Sequence, residues 1–161
     1  MGAHMKIAPL VAQHVAEVVH GNWTDIFLDD VIADITYEEA ITVPPGITNT
    51  IAMLVYHIKF YNDVVRLRLA GEKPVVGAAN GFDVTINNDA DWQQLKADCI
   101  ESYKTIADDI KALPDEKLWE PIKPGGDTFY KSFHGLAEHG HYHLGEIVLL
   151  KKIIRFANSN G

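Results

Sequence analysis

Four of the eight histidines in this chain lie within one short segment, at His134, His139, His141 and His143. His139 and His143 are four residues apart, and residues i and i+4 lie on the same face of an α-helix. Two imidazoles in this arrangement can bind one divalent metal ion through metal–nitrogen bonds of about 2.0–2.1 Å. Apolar residues recur on the same face, which favours a buried pair over a solvated one.

A metal ion held by only two histidines needs a third protein ligand, because catalytic zinc sites commonly combine three protein ligands with water. Helical bundles build such sites from side chains on facing helices. His57 lies between Leu54 and Tyr61 at helical spacing, so we predict that it points inward and completes a site with His139 and His143. The alternative for His57 is a hydrogen-bonded core histidine, and the alternative for the pair is a structural or solvated cluster that binds no metal.

Other polar side chains near these histidines are candidates for a pocket. Glu146, one turn after the pair, can hydrogen-bond a ligand imidazole, accept a proton from bound water, or be an ordinary surface residue. Tyr61, one turn after the third ligand, is the second candidate for a catalytic group. His134 lies about 140° from the axis of the pair and is a candidate for the pocket rim, whereas His141 points about 200° away and is predicted to lie on the surface.

Two common metal motifs do not match the sequence. A zincin needs His-Glu-x-x-His, but Gly140 follows His139. A di-iron bundle needs two Glu-x-x-His motifs, and the chain has one copy, from Glu138 to His141. The spacing therefore favours a mononuclear site.

The composition excludes several classes of function. The chain has 161 residues and a formal net charge of −8, so we expect no nucleic-acid partner. Its local basic cluster, Lys151, Lys152 and Arg155, lies near a predicted helix end, where cations interact favourably with the helix dipole. No apolar run reaches about 18 residues, so we expect no membrane contact. Cys99 is the only cysteine and is predicted to be a core residue, which fits a reducing compartment and a cytoplasmic protein.

The spacing of apolar residues predicts an all-α protein, a four-helix bundle with a long loop over residues 72–88 between the second and third helices. The helices are expected over 7–19, from Thr48 or Asn49 to Gly71, from Asp89 or Asp91 to Leu113, and from Asp127 or Thr128 to about Phe156. A short helix capped by Thr24 is expected over Asp25–Ala33, and the nearby His20 and Trp23 are candidates for the pocket mouth.

The chain is predicted to hold a single domain. Residues 1–5 are expected to be a cloning remnant, residues 6–157 the domain, and residues 158–161 a flexible tail.

Several stretches of the sequence resemble the DinB-like superfamily, which includes the YfiT-like metal enzymes. The most specific is the segment from His134 to Lys152, whose paired histidines are followed by Leu-Gly-Glu-Ile. Shorter similar stretches occur at residues 49–57, 89–92 and 126–130. The resemblance covers roughly residues 6–157.

The resemblance implies a DinB-like four-helix bundle with a three-histidine site for a divalent ion. When the metal ligands of the family are carried over residue by residue, they fall on His57, His139 and His143. Relatives often have glutamine at the position of Glu146, which leaves the role of that residue open. Characterised relatives include S-transferases that use low-molecular-weight thiols and a thiol-dependent isomerase, others are called hydrolases, and many are homodimers.

We therefore predict a divalent-metal-binding protein that uses Zn²⁺ or Ni²⁺ to activate water or a low-molecular-weight thiol toward a small-molecule substrate. The reaction would be of the thiol S-transferase or hydrolase type, and the protein would be a homodimer. The alternative is a non-enzymatic metal-binding or stress-related bundle protein with a vestigial site.

Overall fold

The computed structural model describes residues 6–159, which contain six α-helices, one 3₁₀ helix and no β-strand. The helices are α1 (Ile7–Ala16), α2 (Leu28–Ala33), α3 (Tyr37–Ile41), α4 (Ile51–Leu69), α5 (Asp89–Lys111), the 3₁₀ helix (Asp115–Trp119) and α6 (Phe129–Ser159). The predicted all-α class is confirmed. Within the described range, none of the helices is long and apolar enough to cross a membrane. The expected cloning remnant, residues 1–5, lies outside the described residues.

Helix α4 begins and ends for local reasons. Its N-cap is Thr50, whose hydroxyl accepts a hydrogen bond from the Met53 amide at 3.1 Å, and not Thr48 or Asn49 as expected. The Thr50 side chain thus satisfies one of the free amides of the first turn, directly before the buried Ile51. Gly71 follows the helix as predicted, with a φ of +86° that favours glycine.

The start of α2 differs from the prediction. Thr24 does not cap a helix over Asp25–Ala33, because its hydroxyl donates to Asn22 Oδ1 at 2.6 Å. Asp25 has a φ of +53°, which lies outside the right-handed helical region. The helix therefore begins only at Leu28.

Helix α3 was not predicted, although its first turn carries a capping box. The Thr36 hydroxyl accepts from the Glu39 amide at 3.2 Å, and the Glu39 carboxylate accepts from the Thr36 amide at 3.0 Å. The Thr-x-x-Glu spacing is a sequence signal for a helix start. A helix of five residues is too short for the apolar period to reveal it.

The two longest helices begin close to their expected positions. Asn88 caps α5 and Thr128 caps α6, and each side chain accepts from the backbone amide three residues on. Helix α6 extends to Ser159, past the predicted end at Phe156, and the Ser159 hydroxyl donates to the Arg155 carbonyl at 2.8 Å. Two residues of the expected tail, 158–161, are thus helical, and the other two lie outside the described residues.

The four longest helices share one core. Helices α1 and α4 each contact both α5 and α6. The Trp92 indole N–H on α5 donates to the Ile35 carbonyl at 2.7 Å, which ties α5 to the segment after α2. Cys99 is fully buried, as predicted, and burial raises the pKa of its thiol to about 12. The connection from α4 to α5, residues 70–88, contains no helix or strand and packs Phe82 and other apolar residues on the core.

Helix α6 approaches α5 and the chain after α1 closely at Gly140. A Cβ at this position would lie 2.1 Å from the hydroxyl oxygen of Tyr103, a fully buried residue of α5. The same Cβ would lie 2.8 Å from Cγ1 of Val18. Glycine is required here by space, and the contact positions the adjacent His139.

An ion-pair network joins the C-terminal part of α6 to α2 and α3. Arg155 donates to the Glu39 carboxylate at 2.7 and 3.2 Å and to the Asp34 carboxylate at 3.0 Å. Lys151 donates to the Asp34 carboxylate and to the Val31 carbonyl. The hydrogen bonds from Lys151 and Arg155 lower the pKa of Asp34 to about 2. Two residues of the basic cluster therefore have specific partners, whereas the sequence indicated only the helix dipole.

Replacing Gly140 with alanine is expected to lower the free energy of unfolding by about 1–3 kcal/mol, because the new methyl group has no room beside Tyr103. Gly135 and Gly145 on the same helix are matched controls, since a Cβ at either position meets no atom within 4 Å. Their alanine variants should be more stable than wild type by about 0.4–1 kcal/mol. Urea unfolding followed by circular dichroism measures all three, and equal effects would contradict the close approach at Gly140.

Arg155→Met should lower the free energy of unfolding by about 1–2 kcal/mol at neutral pH, since charged hydrogen bonds to Glu39 and Asp34 are lost. The pKa of Asp34 is lower in the folded protein, about 2, than its ordinary value of 3.8. The stabilisation is therefore present above pH 3.8 and lost as the pH falls through about 2.

The control for this prediction is Arg66→Met, which removes only the exposed ion pair between Arg66 and Asp109. That variant should change the free energy of unfolding by less than about 1 kcal/mol. Urea unfolding from pH 7 down to the acid limit measures both variants. A difference between wild type and Arg155→Met that persists unchanged in strong acid would show that the ion pairs are not its source.

Candidate metal centre

The three histidines predicted as ligands lie together in the structure. His57 comes from α4, and His139 and His143 come from α6. One ring nitrogen of each lies within 4.8 Å of the others. The ring centroid of His57 is 4.8 Å from that of His139 and 4.8 Å from that of His143. The centroids of His139 and His143 are 4.5 Å apart. His57 and His143 are buried, while His139 is half-buried, so solvent reaches the cluster on the side of His139.

The spacing of the ring nitrogens fits a shared metal ion. Nε2 of His139 and Nε2 of His143 are 3.1 Å apart. Two nitrogens bound to one ion at about 2.0–2.1 Å are separated by about 2.9 Å at a right angle and about 3.3 Å at a tetrahedral angle. The observed separation lies between these values, so both rings can bind the same ion.

Hydrogen bonds orient two of the three rings. His57 Nδ1 donates to the Asn80 carbonyl at 2.8 Å, and His143 Nδ1 donates to Glu146 Oε2 at 2.5 Å. A neutral imidazole has one N–H, so these bonds place the proton on Nδ1 and leave the lone pair on Nε2. Metal-binding histidines typically donate their other ring N–H to a carbonyl or carboxylate in this way. Glu146, whose role the sequence left open, thus contacts a candidate ligand directly.

The environment of His139 and His57 favours the neutral state of both rings. Burial, followed by the neighbouring His143 and His57, lowers the pKa of His139 to about 4. Burial also lowers the pKa of His57, although its hydrogen bond to Asn80 acts in the opposite direction. Because metal binding requires neutral imidazole, His139 and His57 are in the binding form at neutral pH.

Aromatic side chains form the walls of the cluster. The ring of Tyr61, predicted as a candidate catalytic group, lies edge-on to His57 and His139 at centroid distances of 5.0 and 5.1 Å. Its hydroxyl donates to Asn80 Oδ1 at 2.5 Å. Phe82 stacks on His57 with a centroid distance of 3.9 Å and an interplanar angle of 12°. The cluster is therefore enclosed on the α4 side.

Asn80, Phe82 and Tyr142 contact the cluster but were not predicted as site residues. Asn80 and Phe82 lie in the connection between α4 and α5, where Asn80-Gly81 is a turn signal in the sequence. That signal does not show which helix the turn packs against. The ring of Tyr142 lies 4.8 Å from that of His143, although its side chain is largely exposed, and no sequence pattern marks it.

The remaining predicted site residues lie away from these contacts. The ring of His134 faces that of the exposed His14 at a centroid distance of 5.2 Å. His20 pairs with Asp29 at 3.1 Å on the surface, and Trp23 is 96% exposed. The assignment of His134 to the pocket rim, and of His20 and Trp23 to its mouth, stays a prediction.

Two other features of the described residues are weaker candidates for a functional site. A second group of possible ligand atoms, all within 4.8 Å of one another, comes from His20, Asp29 and Asp30. These side chains are largely exposed, and His20 already pairs with Asp29. A cavity of about 660 Å³ lies between α4 and α5, and the ion pair of Arg66 and Asp109 lines it. None of the three clustered histidines borders this cavity. The histidine cluster is therefore the stronger candidate for the functional site.

Comparison with known proteins identifies a family for the chain. The family described as the DinB superfamily matches residues 28–147, which is well over half of the chain and includes all three histidines. No curated protein and no solved structure gives a significant match. With a family match of this extent, the chain belongs to the DinB superfamily.

Proposed function

We propose that this protein binds one divalent metal ion, Zn²⁺ or Ni²⁺, through His57, His139 and His143, and uses it in a reaction on a small molecule. The supporting observation is the convergence of three imidazoles, two of which hold their protons on Nδ1 against Asn80 and Glu146. Imidazole nitrogen is a suitable ligand for both ions. Three protein ligands are typical of catalytic rather than purely structural sites.

When bound, such an ion supplies Lewis acidity, which makes water or a thiol a better nucleophile near neutral pH. Glu146 holds His143 through one carboxylate oxygen, while the other lies 3.4 Å from the Tyr142 hydroxyl. That second oxygen is our candidate for the group that takes up a proton from the nucleophile. Phe82 and Tyr61 exclude water from the side of His57. These residues suit thiol S-transfer or hydrolysis, since both reactions begin with removal of a proton from the nucleophile.

We also propose a finer description of the fold and its setting. Residues 6–157 form one DinB-like four-helix bundle of α1, α4, α5 and α6, with residues 70–88 as the long loop, and two copies pair as a homodimer in the cytoplasm. The shared core of the four helices supports the bundle, and the single cysteine fits a reducing compartment. The homodimer is proposed from the resemblance to DinB-like relatives.

Protein purified without a histidine tag should contain about one equivalent of a divalent metal, as measured by elemental mass spectrometry. His139→Ala should reduce the bound metal at least about tenfold, because it removes one of three ligands. His141→Ala is the matched control on the same helix, since its ring Nδ1 donates to the Ala137 carbonyl at 2.8 Å and not into the cluster.

A chelator provides the second measurement for this prediction. It should lower the melting temperature of wild type and of His141→Ala, because an ion bound to the native state raises stability. It should leave the melting temperature of His139→Ala unchanged. Equal metal content in wild type and His139→Ala would rule out the proposed site.

Metal-loaded protein should be active in one of two assays, transfer of a low-molecular-weight thiol to a chromogenic electrophile or hydrolysis of a chromogenic ester. Glu146→Gln should keep the metal, because an amide oxygen can still accept from His143, but lower the rate by about 100-fold through loss of the proton acceptor. His139→Ala should be inactive. Metal-loaded wild type that is inactive in both assays would favour the non-enzymatic alternative.

A further inference from the structure

We propose that residues 77–82, here called the Asn80 turn, position His57 for metal binding, so that metal binding and ordering of this turn stabilise each other. The inference rests on the proposed metal site and names the element that controls its affinity. The Asn80 turn lies in the connection between α4 and α5, and Asn80 is 23 residues from His57 in the sequence.

Asn80 binds α4 through both its backbone and its side chain. Its carbonyl accepts from His57 Nδ1 at 2.8 Å, and its Oδ1 accepts from the Tyr61 hydroxyl at 2.5 Å. His57 and Tyr61 are one helical turn apart, so a single residue contacts the candidate ligand and its neighbour. The carbonyl decides which ring nitrogen of His57 keeps its lone pair, which makes Asn80 a positioning residue and not a ligand.

Phe82 restrains the same ring from a different direction. It stacks on the face of His57 at a centroid distance of 3.9 Å, and its ring lies 6.5 Å from that of His143. The edge of the His57 ring is therefore held by Asn80 and its face by Phe82. Both contacts come from one turn, so displacing the turn releases the ring from both at once.

The backbone of the Asn80 turn is adapted to lie against α4. Asn80 and Gly81 have φ values of +52° and +73°, in the left-handed region that asparagine tolerates and glycine favours. The Asn80 amide closes the turn by donating to the Gly77 carbonyl at 3.0 Å. A Cβ at Gly81 would lie 2.5 Å from Cδ1 of Phe60 on α4, so a larger residue forces the turn and the Phe60 side chain apart.

The position of the turn depends on few contacts. Residues 77–80 are exposed, and Gly81 is the buried point of contact with α4. A metal ion that binds while the turn holds His57 in place stabilises the ordered turn. By linkage, ordering of the turn raises the affinity for the ion by the same factor. Zinc should therefore suppress local opening of the turn.

Two glycine variants within the turn test the inference. Gly81→Ala places a methyl group against Phe60, whereas Gly77→Ala is the matched control, because a Cβ there meets no atom within 4 Å. In tag-free protein, competition with a chromogenic chelator should show Zn²⁺ affinity about 10–100-fold weaker for Gly81→Ala. The affinity of Gly77→Ala should stay within about twofold of wild type.

Hydrogen exchange of the wild-type protein gives a readout that needs no variant to fold. Zn²⁺ should slow exchange of the Asn80 and Phe82 amides, both of which donate within the turn, by at least about tenfold. In His139→Ala, which lacks a ligand but keeps the turn contacts, Zn²⁺ should leave these amides unchanged. Circular dichroism of metal-free Gly81→Ala shows whether that variant is folded.

The outcomes separate this inference from the proposed function. The inference is overturned if folded Gly81→Ala binds Zn²⁺ as tightly as Gly77→Ala. It is also overturned if zinc binds wild type but leaves exchange in the Asn80 turn unchanged. In both cases the metal site itself stands. Wild type that does not bind Zn²⁺ overturns the metal site and the coupling together.

Discussion

Imidazole rings with nitrogens within 4.8 Å of one another repel each other when charged, and the site depends on this electrostatic constraint. Burial and mutual repulsion lower the pKa of His139 to about 4, and burial lowers that of His57. His139 and His57 then present lone pairs instead of charges, but a lone pair binds a metal only if it points at the metal. That direction comes from outside the cluster, through the Asn80 carbonyl and the Glu146 carboxylate. The candidate ligands thus depend on groups that would not touch the ion.

Helix α6 connects this constraint to the rest of the fold. Gly140 lets the helix lie against Tyr103, and the adjacent His139 lies beside His57 of α4. Farther along, Lys151 and Arg155 bind Asp34 and so attach α6 to the short helices between α1 and α4. Because one continuous helix of 31 residues carries all these contacts, its packing at both points helps determine the position of the histidines.

Local patterns predicted most of the helical elements, and local hydrogen bonds explain where the predictions were wrong. The apolar period placed α4 and α6 because each buries a stripe that repeats every helical turn. It could not choose the cap of α4 among neighbouring polar residues, and in the structure the Thr50 hydroxyl is the one that accepts from the amide three residues on. Thr24 is a favourable cap by type, but its bond to Asn22 removes it from the helix. Five residues were too few for the period to reveal α3.

The sequence by itself determined which histidines share a helical face and which helix face is apolar. His139 and His143 are neighbours, and Glu146 reaches His143, because the geometry of an α-helix is the same in every protein. Only the tertiary structure decided that Asn80 and Phe82 hold His57, and that the resulting cluster opens beside His139. The docking of an irregular segment depends on the shapes of surfaces far apart in the chain, and no local period encodes them. The candidate ligands could therefore be predicted from spacing, whereas the groups that orient them required the fold.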